Sequence, residues 1–365
     1  MAVLILRNIK ISASDRDYVV EFSNNLMNLV DKINKLSDEN SFFIIDQKFN
    51  ENYSIDKYIG NKKKLIIKSS EKIKSLEYSK KIVLDLKKQN INKKSKIFAI
   101  GGGTLQDVVQ FTSSILFRGV EFFFIPTTLQ AITDSCIGSK TSINLDGGIK
   151  NQLGTFYSPT RVLVFTDFIK SLPKDELKGG YAELIKLLII GNYNNLNELY
   201  FYLNNGIHIS NKVNHYVQTA LKVKKIFIEI DQFDNGIRKI LNYGHSFAHS
   251  IETLSNHKIT HGNATALGIN IANYYSLQNN LITEKWFYNH FYFFNNFYNF
   301  KKILNKHQLD GRKIVKGLVN DKKIIDKKTI ELIIPLKDKI KTKKVLIDRN
   351  LEKIVDDFIK FTKVS

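Results

Sequence analysis

The segment 242–263, NYGHSFAHSIETLSNHKITHGN, holds four of the chain's eight histidines. Imidazole binds divalent metals well, and a metal with an open coordination position can act as a Lewis acid. His245 and His249 stand four apart, which puts both on one face of a helix, so spacing alone pairs these two as ligands. Taken singly, each of the four, His257 and His261 included, is more simply a core or surface histidine. Glu183 and Lys186, three apart in GGYAELIK (179–186), have the spacing of an intrahelical ion pair.

A second constellation is glycine-based. KIFAI (96–100) runs into GGGTLQD (101–107), and a helix-like segment follows. A glycine turn between strand and helix lets main-chain amides approach a phosphate at the helix N-terminus. Gln106 stands where a full G-x-G-x-x-G would have its third glycine, and the motif is not a P-loop. A plain tight turn explains it equally well. PTT (126–128) ends the next apolar run, and two such turns on adjacent strands would share one edge of the sheet, where open α/β sheets bind ligands.

The elements that must position these residues differ between the two halves. SFFIIDQKF (41–49), KKLIIKS (63–69), KIFAI, EFFFIPTT (121–128) and RVLVFTD (161–167) read as strands, with helical patterns at 75–89 and 105–116. Such alternation predicts a mostly parallel sheet covered by helices. Helical periods then dominate: 175–192, 208–230, 240–255, 264–279 and 284–306. The expectation is a Rossmann-like α/β domain over 1–174 and an all-helical domain over 175–365. The aromatic run WFYNHFYFFNNFYNF (286–300) is most simply core and packing surface.

Composition narrows the function classes. At 365 residues and 43% apolar, the chain can bury two cores, and disorder is excluded. Fifty-five Lys and Arg against 35 acids leave a net charge of +20, which fits a lysine-rich solvated surface or attraction of an anionic small molecule. The basic residues are scattered and no nucleic-acid motif is present, so neither DNA nor RNA is an expected partner. A single cysteine, Cys136, excludes an internal disulfide and fits a reducing compartment. The start, MAVLILRNIKISAS, has too short an apolar run for a signal peptide, and no run reaches the ~18–20 residues of a membrane helix. The expectation is a cytoplasmic protein with no membrane partner.

Seven blocks occur in one order: GGGTLQD, LFRGV (116–120), PTTLQAITDSCIGSKTSIN (126–144), KNQLGTFY (150–157), GGYAELIK, RKILNYGHSFAHSIE (238–252) and HGNA (261–264). Together they resemble the 3-dehydroquinate synthase family of sugar-phosphate cyclases, from about residue 41 to DKK at 321–323. The resemblance implies a dinucleotide-binding domain followed by a helical one. It implies bound NAD, which takes and returns a hydride with no net redox change, and a divalent metal, Zn2+ or Co2+. It implies loss of phosphate from a heptulosonate phosphate and ring closure, a step of the shikimate route leading to aromatic amino acids.

Residue by residue, the resemblance assigns the metal to Glu183, His245 and His261, with His249 and Asn242 turned to the substrate phosphate and Lys186 to the reacting end. Asp134, Lys140, Lys150 and Asn151 match positions lining cofactor and substrate phosphate. Arg118 matches an arginine supplied to the neighbouring subunit's phosphate, which implies a homodimer. Asp46, Lys48, Glu71 and Lys74 match the adenosine side of NAD; Gly102, Gly103, Thr104 and Asp107 match the pyrophosphate loop. Thr127, Thr128, Phe168, Ser171 and Leu172 match the surroundings of nicotinamide and ribose. Lys224, Arg238 and a lysine of DKK, Lys322 or Lys323, match a grip on the substrate carboxylate, which favours 3-deoxy-D-arabino-heptulosonate 7-phosphate over neutral ketose phosphates. His257 has no role in the pattern and reads as a surface histidine.

Three departures stand out: Gln106 for glycine, GSK for GGK before Thr141, and a loop one residue longer between Lys140 and Lys150. They suggest a divergent branch, which keeps open a cyclase acting on another phosphorylated ketose. More distant readings are a metal-dependent NAD alcohol dehydrogenase, which would release NADH, and an inactive scaffold prompted by the charge.

Overall fold

The computed structural model describes residues 8–145, 149–194, 196–206, 212–318, 324–326, 328–337 and 339–365. From the N-terminal side the elements are β1 (Ile9–Ile11), β2 (Tyr18–Phe22), α1 (Leu26–Leu36), β3 (Ser41–Asp46), α2 (Gln47–Tyr53), α3 (Ile55–Tyr58) and β4 (Lys63–Ile67). Next come α4 (Leu76–Lys88), β5 (Lys96–Gly101), α5 (Gly103–Ile115), β6 (Glu121–Pro126), the hairpin β7 (Ile143–Leu145) and β8 (Ile149–Leu153), and β9 (Arg161–Val164). Helices α6 (Lys174–Ile190), α7 (Leu196–Asn204), α8 (Val213–Ile230), α9 (His245–Leu254), α10 (His261–Gln278), α11 (Glu284–Tyr298), α12 (Phe300–His307) and α13 (Gly311–Gly317) follow. The chain ends with β10 (Ile324–Asp326), β11 (Thr329–Leu336), β12 (Lys339–Leu346) and α14 (Arg349–Val364). It folds as two compact units, Met1–Pro173 with Lys212–Phe233, and Lys174–Asn211 with Asp234–Ser365. Helix α8 is therefore part of the first unit.

The first unit is built on a seven-stranded sheet of order β1-β2-β9-β6-β5-β3-β4, parallel throughout except for the β1–β2 pair. Its central strands show no in–out alternation because helices cover both faces, and every residue of β3 and β5 but the end residues Asp46 and Lys96 is buried. Phe43, Phe98 and Phe123 lie in register on β3, β5 and β6 and stack at 4.7 and 4.4 Å between ring centroids. Each such pair adds about 0.5–1.5 kcal/mol beyond burial, so this ladder ties the middle of the sheet. All five strands expected from the apolar runs form. β1 and β2 are additions: each is short, and the SASDRD turn between them masks the alternation.

The second unit is largely rather than wholly helical. β10, β11 and β12 form a three-stranded antiparallel sheet, which helical periodicity could not announce. At its centre α10 is buried on nearly all sides, with residues such as Ala264, Leu267, Ile269 and Ala272 packed among α6, α9, α11, α14 and β11. The long period at 284–306 breaks at Asn299, whose positive φ of 55° ends α11 and whose side chain caps α12 through the Lys302 amide. Phe287, Phe291, Phe293, Phe294 and Tyr298 from the aromatic run are buried. Among the described residues, no helix is long and apolar enough to cross a membrane.

Candidate active site

In the second unit, two glycine contacts bring three chemical side chains together. α6 and α10 cross where Gly179 meets Gly262; a Cβ on Gly262 would lie 2.0 Å from the Gly179 Cα. Glu183 is one helical turn beyond Gly179, and His261 directly precedes Gly262. The start of α9 is fixed similarly: a Cβ on Gly268 of α10 would lie 2.2 Å from the Gly244 carbonyl oxygen, and Gly244 itself has φ +80°. His245 is the next residue. Because the backbones touch, short side chains on three separate helices can converge.

Glu183 Oε1 lies 3.5 Å from His245 Nε2 and 3.3 Å from His261 Nε2. The other nitrogens are already committed. His245 Nδ1 faces the Tyr243 carbonyl at 3.2 Å, and His261 Nδ1 faces Glu252 Oε1 at 2.6 Å. A carbonyl or carboxylate only accepts, so each Nδ1 carries a hydrogen and each Nε2 is the atom turned to the centre. Glu183 Oε2 pairs with the Lys186 ammonium, and both groups are buried.

Burial raises the Glu183 carboxyl, but Lys186, His245 and His261 outweigh it and hold the group well below the usual carboxylate range. Burial, helped by the Lys186 charge, pushes His245 well below an ordinary imidazole. Burial would lower His261 too, but its bonds to Glu183 and Glu252 carry it up to about 10. The three donor atoms lie within 4.8 Å of one another, a carboxylate oxygen and two imidazole nitrogens, and this set fits a divalent ion such as zinc. Glu183 is fully enclosed, whereas the two imidazole side chains are 12% and 32% exposed, so the centre opens on its imidazole side. Three ligands with an open face suit a catalytic rather than a structural metal.

Comparison with known proteins agrees with this geometry. The family model for the 3-dehydroquinate synthase N-terminal part matches residues 64–179, and that for the C-terminal part matches residues 180–324. The 3-dehydroquinate synthase of Pelagibacter ubique is 36% identical over 299 residues, 77% of this chain and 79% of that protein. The chain belongs to the 3-dehydroquinate synthase family. The fold is shared more widely. A 2-deoxy-scyllo-inosose synthase, solved with carbaglucose-6-phosphate, NAD+ and Co2+, has a TM-score of 0.83 at 22% identity, covering 96% of this chain and 99% of its own. The 2-epi-5-epi-valiolone synthase of Streptomyces hygroscopicus, solved with NAD+ and Zn2+, has a TM-score of 0.78 at 18% identity, covering 96% and 98%.

In the first unit, the residues that the family pattern turns toward NAD gather at one sheet edge. β3, β5 and β6 end in register at Asp46, Gly101 and Pro126, so the two turns do share that edge. Gly102 is the N-cap of α5 and offers no side chain to its first amides; Gly103 and Thr104 begin the helix. A Cβ on Gly102 would come within 3.0 Å of the Thr128 methyl, a cradle whose bare main chain suits a pyrophosphate. Asp46 caps α2 through the Phe49 amide at 2.8 Å, and Lys48 is exposed beside it. Thr127 is buried, with its amide bonded to the Gly101 carbonyl. Phe168 is a core ring against Phe49, Tyr53 and Phe165, which leaves only its main chain for a ligand; Ser171 donates to its carbonyl, and Leu172 follows, half-buried.

Other polar residues of this unit hold one another. Lys74, buried, donates to Asn151 Oδ1 at 2.7 Å and pairs with Asp107 at 2.8 Å. Ser142 donates to both of those partners, and Asn144 links Glu71 to the Asn151 amide. Burial raises the Asp107 carboxyl against the pull of Lys74 and Ser142. The network ties the β7–β8 hairpin, with Lys150 on it, to α5. Asp134 sits on a single π-helical turn, Ala131–Ser135, and pairs with Lys224 of α8 at 2.8 Å. Lys140 is exposed, its ammonium 5.9 Å from the centre of the Phe156 ring. Arg118 is exposed in a turn where Phe117, Arg118 and Gly119 all have positive φ.

In the second unit Arg238 is buried, and Asn242 closes the same short 3-10 helix just before α9. His249 is exposed, its ring 5.8 Å from that of His245. His257 is at the surface. Lys322 and Lys323 lie outside the described residues. Sequence reasoning missed Glu252 and the four packing glycines. Glu252 closes the quoted HSIE run and stood in plain view, but its reach to His261 depends on the turn between α9 and α10.

Proposed function

We propose that the protein is an NAD- and divalent-metal-dependent sugar-phosphate cyclase that converts 3-deoxy-D-arabino-heptulosonate 7-phosphate into 3-dehydroquinate and phosphate. The observation that carries this reading is the Glu183–His245–His261 centre, open on one face, in a chain that both halves of the family model match. NAD would supply a hydride acceptor that is restored within the turnover, and the metal a Lewis acid for the reacting oxygens. Glu183 and the two imidazoles would hold the metal. The Lys186 ammonium, fixed by Glu183, would orient the reacting end, and His249 and Asn242 would take the phosphate. Asp134, Lys140, Lys150 and Asn151 would complete the phosphate and cofactor contacts. The glycine edge at Gly102–Thr104, with Asp46, Lys48 and Thr128, would seat the dinucleotide. Lys224, Arg238 and Lys322 or Lys323, three cations for one carboxylate, favour the 2-oxo acid substrate. Arg118, exposed on its strained turn, would reach a second copy's phosphate in a homodimer, and a cytoplasmic location fits a shikimate-route enzyme.

A second reading has its own support. The full-length fold likeness is to cyclases bearing other names, which favours the broader class of sugar-phosphate cyclase acting on another ketose phosphate. One assay separates the readings: phosphate release from 3-deoxy-D-arabino-heptulosonate 7-phosphate with NAD and zinc, while NADH absorbance and 3-dehydroquinate are followed. Phosphate and dehydroquinate forming together without NADH support the first reading. No phosphate from metal-loaded protein overturns it in favour of another ketose phosphate. Accumulating NADH indicates a dehydrogenase.

A further inference from the structure

The two imidazoles of the centre are held by different means. His245 is the less exposed, and its Nδ1 is fixed by the main-chain carbonyl of Tyr243, a fully buried residue whose hydroxyl donates to Asn273. His261 is 32% exposed at the first position of α10, and its preceding residue, Thr260, makes no side-chain cap. Its Nδ1 faces Glu252, from the last turns of α9, whose Oε1 lies 2.6 Å away and whose own side chain is 13% exposed. Its other oxygen is 3.9 Å from His257 Nδ1, in the turn that joins the two helices.

We propose that Glu252 is the positioning residue of the metal centre, holding the His261 ring in the tautomer and orientation that present Nε2 to the ion. The inference rests on the metal reading above. A carboxylate behind a ligating imidazole fixes the ring and makes its other nitrogen a better donor; losing such a partner typically lowers metal affinity about 10–100-fold. The competing role for this residue is a staple closing the turn between α9 and α10. That role would alter the stability of the metal-free protein but not the geometry around the ion.

The test compares the full chain with Glu252→Ala and Glu252→Gln, measuring Co2+ dissociation constants, the visible band of the Co2+ form and thermal unfolding of the metal-free proteins. Glu252→Ala should bind Co2+ about 10–100-fold more weakly, with a shifted band. Glu252→Gln keeps an acceptor at the same place but loses the charge, so the wild-type band should persist with a smaller loss of affinity. Wild-type affinity and an unchanged band in both variants overturn the proposal, as does a change confined to metal-free unfolding. If the alanine variant fails to fold, the glutamine variant decides alone: weakened binding supports the proposal and equal binding overturns it. Failure of the wild type itself to bind Co2+ or Zn2+ would sink the metal reading, a result distinct from any difference among variants.

Discussion

At the metal centre, close approach is between backbones; at the glycine edge of the first unit, it is between a backbone and a movable side chain. A Cβ on Gly262 would meet the Gly179 Cα at 2.0 Å, whereas one on Gly102 would meet the Thr128 methyl at 3.0 Å. The side-chain chemistry differs in the same sense. Around Glu183 each polar atom points at the centre or is pinned behind it. Around Gly102 the charged side chains, Lys74 and Asp107, are engaged with each other, and the edge offers main chain. A site made of side chains needs a scaffold that holds helices in contact. A site made of amides needs only a strand end and a helix start.

The sharpest way to break the contrast is Gly262→Ala. Its new methyl has no space, so α6 and α10 must part, at a cost at or above the upper end of the ~1–3 kcal/mol typical of overpacked cores. Thermal unfolding should fall steeply and zinc retention should be lost; a folded, zinc-loaded variant would refute the account of the helix crossing.

Acid should also tell the two regions apart. His290 is 4% exposed in the second unit, with its Nδ1 on the Tyr200 hydroxyl at 2.7 Å, and burial lowers its pKa to about 4. The unfolded chain takes up this proton near pH 6.5 while the native state resists until about 4, so stability is lost as pH falls through that window. The full effect is about 3 kcal/mol at 1.36 kcal/mol per pKa unit. Asp38 of the first unit, lowered by its bond to Lys96, loses its contribution only below its ordinary value of 3.8. Denaturant unfolding of wild type and His290→Leu between pH 7 and 4 should show a flatter pH slope in the variant; identical slopes would count against this assignment.

The mildest change is Gly102→Ala. Its φ of −82° is open to any residue and the opposing methyl can shift, so the fold should lose no more than about 1 kcal/mol. Zinc content should stay at the wild-type level while NAD affinity, read by fluorescence titration, falls. Loss of zinc and NAD binding together would mean that the two regions are not independent.

Much of this was legible before folding. The apolar runs located five of the seven strands of the large sheet, and the helical periods found α6, α8, α9 and α10. Of the strands they missed, β1, β2 and β10 are short and alternating lysines hide the pattern in KIKTKKVL of β12, whereas TIELIIPL of β11 is a legible apolar run set aside by the helical expectation for this half. For the metal, spacing alone would have chosen His245 with His249; only the ordered motifs of the family turned the choice to His261 and Glu183. In the fold His249 is exposed on α9 while His261 arrives from another helix.

The sequence by itself determined which residue types were available, the family, and the local elements, because periodicity and turn chemistry act over a few neighbours. The family's motifs named Glu183, His245 and His261 in advance; only the tertiary structure brought their donor atoms within 4.8 Å of one another, and only it decided that Glu252 stands behind one of them and that Lys74, Asp107 and Asn151 hold one another. Those relations depend on how closely two backbones can pass. Gly179 and Gly262, 83 positions apart in the chain, set that distance through a contact that no local pattern encodes.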